Sequence, residues 1–203
     1  MPYDYEKTHE SILESAMKSF TAEGFRNASI RNICREAGVT NGAFYAHFKS
    51  KDDLFSTLVE DCLNKFKENY NGFNDINVES PEDIPELFRM SYVSVEILIH
   101  YIYEHRDVFM LILKCSGGSS YESFVEDLIH EESRNTMDFF EKCSKYMTKP
   151  GNISERLAGI GSALVINLMF DAFAKGVSEE ENIRETRISS EFCIAGYREI
   201  LGF

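Results

Sequence analysis

The chain of 203 residues contains no long apolar run. Its most apolar stretch, Ala163 to Ala174, is interrupted by Asn167 and Asp171 and is shorter than the roughly 20 residues that span a bilayer. Met1 to Glu10 is polar and charged, unlike a secretory leader, so a soluble, cytoplasmic protein with no membrane partner is expected. Cysteine is sparse. Cys34, Cys62, Cys115, Cys143 and Cys193 are odd in number, widely spaced and form no C-x-x-C pair, which argues for reduced thiols and against a disulfide framework or zinc site. Also missing are H-E-x-x-H, a phosphate-cradling glycine loop and a nucleophile elbow. The expectation is therefore no enzyme, no catalytic residue, no metal and no cofactor. Strand-like alternation, internal repeats and low-complexity tracts are lacking too. The hydrophobic fraction of 43% suffices for a packed core, so an all-α globular chain is expected.

Positive charge is also scarce, with 21 Lys and Arg against 34 Asp and Glu. The imbalance is uneven along the chain. Residues 1–51 carry seven basic and six acidic side chains, a net of +1, whereas residues 52–203 carry 14 and 28, a net of −14. The acidic part is expected to repel polyanions and the N-terminal part to tolerate them.

What the N-terminal part does contain is a sequence of helix signals. Ile12, Leu13, Ala16, Met17 and Phe20 keep helical spacing from Glu10 to Phe20, and Glu23-Gly24-Phe25 ends the run. Ser29 is placed to cap a second helix, Ile30 to Ala37, with Ile30, Ile33, Cys34 and Ala37 as its stripe. Gly38 suits the left-handed turn that follows, and Thr40 caps a third helix beginning at Asn41. On that helix Phe44 and Phe48 share one face, while Asn41, Gly42, Ala43, Tyr45 and His47 project elsewhere. One face anchors and the other is available for reading, as in a helix-turn-helix.

Through Gly24-Phe25, Ser29-Ile30, Ala37-Gly38-Val39, Gly42-x-x-Tyr45-x-His47-Phe48 and Ser50-Lys51, residues 6–55 resemble the DNA-binding domain of the TetR/AcrR family of bacterial transcriptional regulators. The resemblance implies a homodimeric regulator, a repressor by expectation, acting on double-stranded DNA at a pseudo-palindromic operator and released by a small-molecule effector. It also implies a three-helix head at 1–50, a linking helix at about 51–70 and a larger helical effector-binding and dimerisation domain at 71–203. Tyr45 and His47 match the family's phosphate-contacting aromatic and histidine. Ser29 and Lys51 are expected to donate to phosphates from helix N-termini, with Arg31 either a phosphate contact or a solvated residue. Thr40, Asn41 and Ala43 are placed for base edges, and Gly42 for close backbone approach.

Beyond the head, Ser50 is expected to cap a helix running to about Asn69, followed by turn formers at 71–77. Ser80-Pro81 is read as a helix start and 115–120 as a flexible loop. Further helices are expected at about 121–147, from an Asn152 cap to 175, and at 181–201. An effector that is largely apolar would suit Phe88, Tyr92, Tyr101, Tyr103, Phe109, Met110, Met169, Phe170 and Phe173, though helical spacing alone would make most of them core. The two last helices carry the expected dimer face: Gly159, Ala163, Ile166 and Phe170, with Ile188, Phe192 and Ala195. Two alternatives use His100 and Glu104, one helical turn apart: a metal-responsive regulator, or a helical enzyme.

Overall fold

A computed structural model describes residues 4–71 and 78–202, and all regular structure among them is helical. The helices are α1 (Tyr5–Asn27), α2 (Ile30–Ala37), α3 (Asn41–His47), α4 (Lys51–Asn71), α5 (Asp83–Glu104), α6 (Arg106–Cys115), α7 (Phe124–Cys143), α8 (Glu155–Ala174) and α9 (Glu179–Leu201). The expected turn at 71–77 lies outside the described residues, apart from the backbone of Asn71.

Local chemistry sets most of the helix ends. Asp4 caps α1 by accepting the Lys7 N–H at 3.2 Å, so this helix starts about two turns before the apolar stripe that begins at Ile12. Its regular part stops at Gly24, whose φ of 76° and ψ of 158° are costly for any residue with a Cβ. Ser50 caps α4, with the Asp53 N–H at 3.0 Å from its hydroxyl. Two starts differ from expectation. At α5 the Asp83 carboxylate accepts the N–H groups of Glu79 and Ser80 at 2.9 and 2.8 Å, leaving Pro81 in the preceding turn. Those bonds hold the Asp83 carboxyl below its ordinary range. At α8 the cap is Ser154, which accepts the Leu157 N–H at 3.3 Å, while Asn152 donates to the Ile200 carbonyl at 3.4 Å.

By compactness the chain groups differently from a linear head, linker and body. One unit holds the residues up to Asn64 together with His105–Ser123; the other holds Lys65–Glu104 and the chain from Phe124 onward.

In the first unit α1 packs on both α2 and α6. Phe20, Phe25 and Phe55 form a triangle of rings with centroids 5.3 to 5.7 Å apart, surrounded by buried Ile12, Ile33, Phe44, Leu54 and Phe109. Burying side chains of this size contributes about 2 kcal/mol each. The segment after α6 is a hydrogen-bonded turn, not the flexible loop expected from its glycines and serines. The Ser120 N–H donates to Asp52 at 2.8 Å, the Tyr121 and Ser56 hydroxyls bond at 2.8 Å, and Ser119 donates to the Ser116 carbonyl. Gly118, at φ 91°, supplies the conformation that closes it.

In the second unit α8 lies between α7 and α9, and α9 also packs on α5. Phe66, Phe124 and Phe170 meet with centroids 6.1 to 6.3 Å apart. The inner face of α9 is polar, and apart from the buried Ser189 hydroxyl it is tied by specific bonds. Asn182 donates to the Met169 carbonyl at 2.9 Å, Thr186 to Asn182 at 3.0 Å and Ser190 to the Thr186 carbonyl at 2.9 Å. At 20 residues α8 extends well before Ala163, which makes it, among the described residues, long and apolar enough by composition to cross a membrane. Its packing gives that hydrophobicity another outlet: Ala158, Ile166, Met169, Phe170, Ala172 and Phe173 are all buried.

Candidate functional site

The turn between α2 and α3 is built from three residues. Gly38 adopts φ 70° and ψ 28°, its N–H bonding the Arg35 carbonyl at 3.3 Å while the Val39 N–H reaches the Cys34 carbonyl at 2.9 Å. No atom within 4 Å would meet a Cβ at Gly38, so the left-handed backbone is what selects glycine there. Thr40 then starts α3, its Oγ1 accepting the Ala43 N–H at 3.1 Å. Phe44 is fully buried and Phe48 nearly so, which fixes the rotation of α3. That rotation leaves Thr40, Asn41, Gly42, Tyr45 and Ala46 exposed, with Tyr45 at 60%.

Around this surface Ser29 caps α2 by accepting the Asn32 N–H at 3.2 Å, which leaves its hydroxyl hydrogen able to donate outward. Arg31 and Arg35 are exposed on α2. His47 is half-buried at the end of α3, its ring 4.0 Å from that of Tyr5 and 5.4 Å from that of His9. Burial and the neighbouring His9 push the His47 pKa down, with Glu6 acting in the opposite direction.

Lys51 departs from the expected phosphate role. Its Nζ lies 2.6 Å from the Phe25 carbonyl, 2.9 Å from that of Ala28 and 3.4 Å from that of Arg26, and 4.5 Å from the centre of the Phe25 ring. An ammonium has three N–H donors, and here each has a carbonyl. Desolvation lowers the Lys51 pKa. The side chain therefore ties the start of α4 to the chain leaving α1.

The second unit contains a partly open cavity of about 440 Å³ between the end of α4 and helices α5, α7, α8 and α9. Of the residues expected to hold an effector, Phe88 and Met169 line it. The side chain of Tyr92 lies outside the described residues. Phe109 and Met110 belong to α6 in the other unit. Tyr101 and Phe170 pack on Phe66, and Phe173 on Tyr103, whose hydroxyl donates to the Val177 carbonyl at 2.8 Å. These five aromatics and Met110 were expected from spacing, which cannot separate a core face from a cavity face. Missing from that expectation were Tyr70, Glu132, Asn135, Phe139 and Tyr197, all in the cavity wall. Nothing in the His130-Glu131-Glu132 run singles out Glu132 as the residue that faces the cavity.

The expected dimer face is also rearranged. Ile166 and Phe170 are buried within the chain, and a Cβ at Gly159 would meet the Ser133 hydroxyl at 3.1 Å, so that glycine serves the α7 contact. Gly161 likewise admits the Tyr197 ring, and Ala163 is half-buried. Outward on α8 are Leu157, Ile160 and Leu164; outward on α9 are Ile188, Phe192 at 72% exposure, and Ala195. His100 pairs with Glu179 and lies 3.9 Å from Glu96, so Glu104 is not its partner. Among the described residues no cluster of three or more His, Cys, Asp or Glu is arranged to hold a metal.

A sequence model described as "Bacterial regulatory proteins, tetR family" matches residues 12–58, the span holding the α2–α3 turn and the anchoring phenylalanines. An uncharacterized HTH-type transcriptional regulator of Haemophilus influenzae is 24% identical over 181 residues, covering 89% of this chain and 82% of that protein. The HTH-type transcriptional regulator AcrR of Shigella flexneri is 44% identical over 55 residues, covering 27% of this chain and 26% of that protein. The crystal structure of a TetR-like transcriptional regulator from Rhodococcus sp. RHA1 shares the fold at a TM-score of 0.61 and 16% identity, covering 93% of this chain and 96% of that one. Residues 12–58 thus match the tetR family of bacterial regulatory proteins, and the chain as a whole shares the all-helical fold of solved TetR-like regulators.

Proposed function

We propose that this protein is a homodimeric, cytoplasmic repressor that sets α3 into the major groove of a pseudo-palindromic operator and leaves it on binding a small effector. The observation that carries the reading is the α2–α3 turn, where Gly38, Thr40 and buried Phe44 together hold a short helix with its polar side outward. Thr40, Asn41 and Ala43 meet base edges, Asn41 having the donor and acceptor that adenine requires and Ala43 a methyl that suits thymine. Gly42 keeps the backbone close to the groove. Tyr45, His47, Ser29 and Arg31 contact phosphates and fix the register. Lys51 acts from behind, by holding α4 against the end of α1.

A head with so little net positive charge, +1 over residues 1–51, gains from having two copies on one DNA, because the second contact is intramolecular once the first is made. The apolar strip of Ile160, Leu164, Ile188 and Phe192 supplies the surface for pairing two copies through α8 and α9. The cavity of the second unit is the effector site, and an effector acts by binding the DNA-incompetent conformation more tightly. The division of labour into DNA-binding, linking and effector-binding segments belongs to this same reading.

The test is selection of bound fragments from the genome of the source organism by the purified full-length protein, followed by footprinting. An inverted repeat with half-sites about one DNA turn apart supports the proposal. Recovery of fragments with no common sequence contradicts it.

A further inference from the structure

Of His130, Glu131 and Glu132, only Glu132 lines the cavity. There it accepts the hydroxyl of Tyr70, which reaches it from the end of α4. Asn135 stands one turn further along α7, and its amide favours the anionic form of both neighbours, although its buried Nδ2 donates no hydrogen bond of good geometry. Among the described residues no lysine, arginine or histidine pairs with Glu132. A carboxyl held largely away from water either keeps its proton or takes a positive partner, and among the described residues none is paired with it. What faces Glu132 instead is a set of rings, Phe88, Phe139 and Tyr197, and the thioether of Met169.

We propose that the cavity takes an amphipathic organic cation, a protonated amine on a hydrocarbon body, with its nitrogen at Glu132 beside Tyr70 and its apolar part among Phe88, Phe139 and Met169. This rests on reading the cavity as the effector site. The ring faces attract an ammonium as well as the hydrocarbon, so charge and shape select the same molecule.

Binding is coupled to a proton. Burial and Glu131 hold the Glu132 carboxyl above its ordinary range, so the unliganded site keeps its proton to higher pH than a surface glutamate does. An arriving ammonium favours the carboxylate, and the proton leaves to solvent, conserving charge. The other titratable groups around Glu132 are Tyr70 on α4, Asp138 and Lys142 on α7, and Cys193 and Tyr197 on α9; among the described side chains α5 and α8 bring none to the wall. Burial raises Tyr70, Cys193 and Tyr197, the last to about 12, so these three stay neutral while Glu132 titrates.

Isothermal titration of the full-length protein with n-decylammonium, 1-decanol and decanoate, each below its aggregation limit, tests this. At about pH 8 the ammonium should bind at least ~10-fold more tightly than the alcohol, and decanoate most weakly. Its affinity should rise with pH while that of the alcohol stays flat, a readout needing no variant. In Glu132→Gln the preference for the ammonium should fall below ~3-fold, with the alcohol unchanged. Equal binding of ammonium and alcohol by the wild-type protein, or tightest binding of decanoate, overturns the cation assignment and leaves the cavity as an effector site. Binding of none of the three overturns the effector-site reading and the inference with it.

Discussion

Lys51 donates to the carbonyl of Phe25 at 2.6 Å and lies 4.5 Å from the centre of the same residue's ring. One ammonium thus closes the end of α1, where carbonyls lack helical partners, and covers an aromatic face. The residue looks basic and available in the sequence, yet its charge is used within the protein.

Replacing Lys51 by Ala should therefore act on stability before it acts on DNA. A hydrogen-bonded charge of this kind contributes about 1.5–3 kcal/mol, which should appear as a lowered thermal midpoint. The salt dependence of operator binding should keep its slope, because no phosphate contact is removed. A slope reduced by about one unit, with an unchanged midpoint, would put Lys51 on the phosphate after all.

Thr40 offers a second separation. Thr40→Ala removes the oxygen that accepts the Ala43 N–H and should cost about 1 kcal/mol in stability, whereas Thr40→Ser keeps the bond and should restore most of it. Circular dichroism melts of the three proteins decide the point. Equal melting of the alanine and serine variants would show that the cap contributes nothing.

The pH dependence of the head follows from His47. Its pKa is lowered in the folded protein by burial and by His9, so its neutral form is the one the fold favours. The sign is then fixed. The associated stability is present above the unfolded value of about 6.5 and is lost as pH falls through the lower folded value. Thermal midpoints should decline below about pH 6.5, and His9→Gln, by removing the like charge, should make that decline shallower. A steeper decline in the variant would contradict the assignment.

Pairing of two copies can be tested at Phe192, which is 72% exposed, so that its loss should remove little packing within the chain. Phe192→Glu, with Ile160→Glu as a companion, should give monomers by light scattering with an unchanged helical spectrum. Dimers persisting in the double variant would move the interface elsewhere.

How much of this was legible in the sequence depends on how far apart the partners are. The caps at Ser29, Thr40 and Ser50 and the turns at Gly24 and Gly38 involve residues within five positions of each other, and each appears where the sequence puts it. Lys51 finds its acceptors about 25 residues away. The Tyr70–Glu132 bond joins residues 62 apart, so nothing in either segment announces it. Phe109 and Met110 show the same limit from the other side: helical periodicity marks them as inward but does not say into which unit. The outer face of α8 was half legible, since apolar residues lie on several of its sides and only its packing on α7 and α9 shows that Ile160 and Leu164, not Ile166 and Phe170, are left outside.

The central claim is that α3 reads DNA sequence, with Asn41 among the residues that touch base edges. The direct measurement is the affinity of wild-type protein and Asn41→Ala for a panel of duplexes, each carrying one symmetric base change in the selected operator. The account predicts that the variant loses about 1–3 kcal/mol of discrimination at one position per half-site and keeps its preferences elsewhere. A variant whose affinity falls equally for every duplex, or a wild-type protein indifferent to all of the changes, would contradict it.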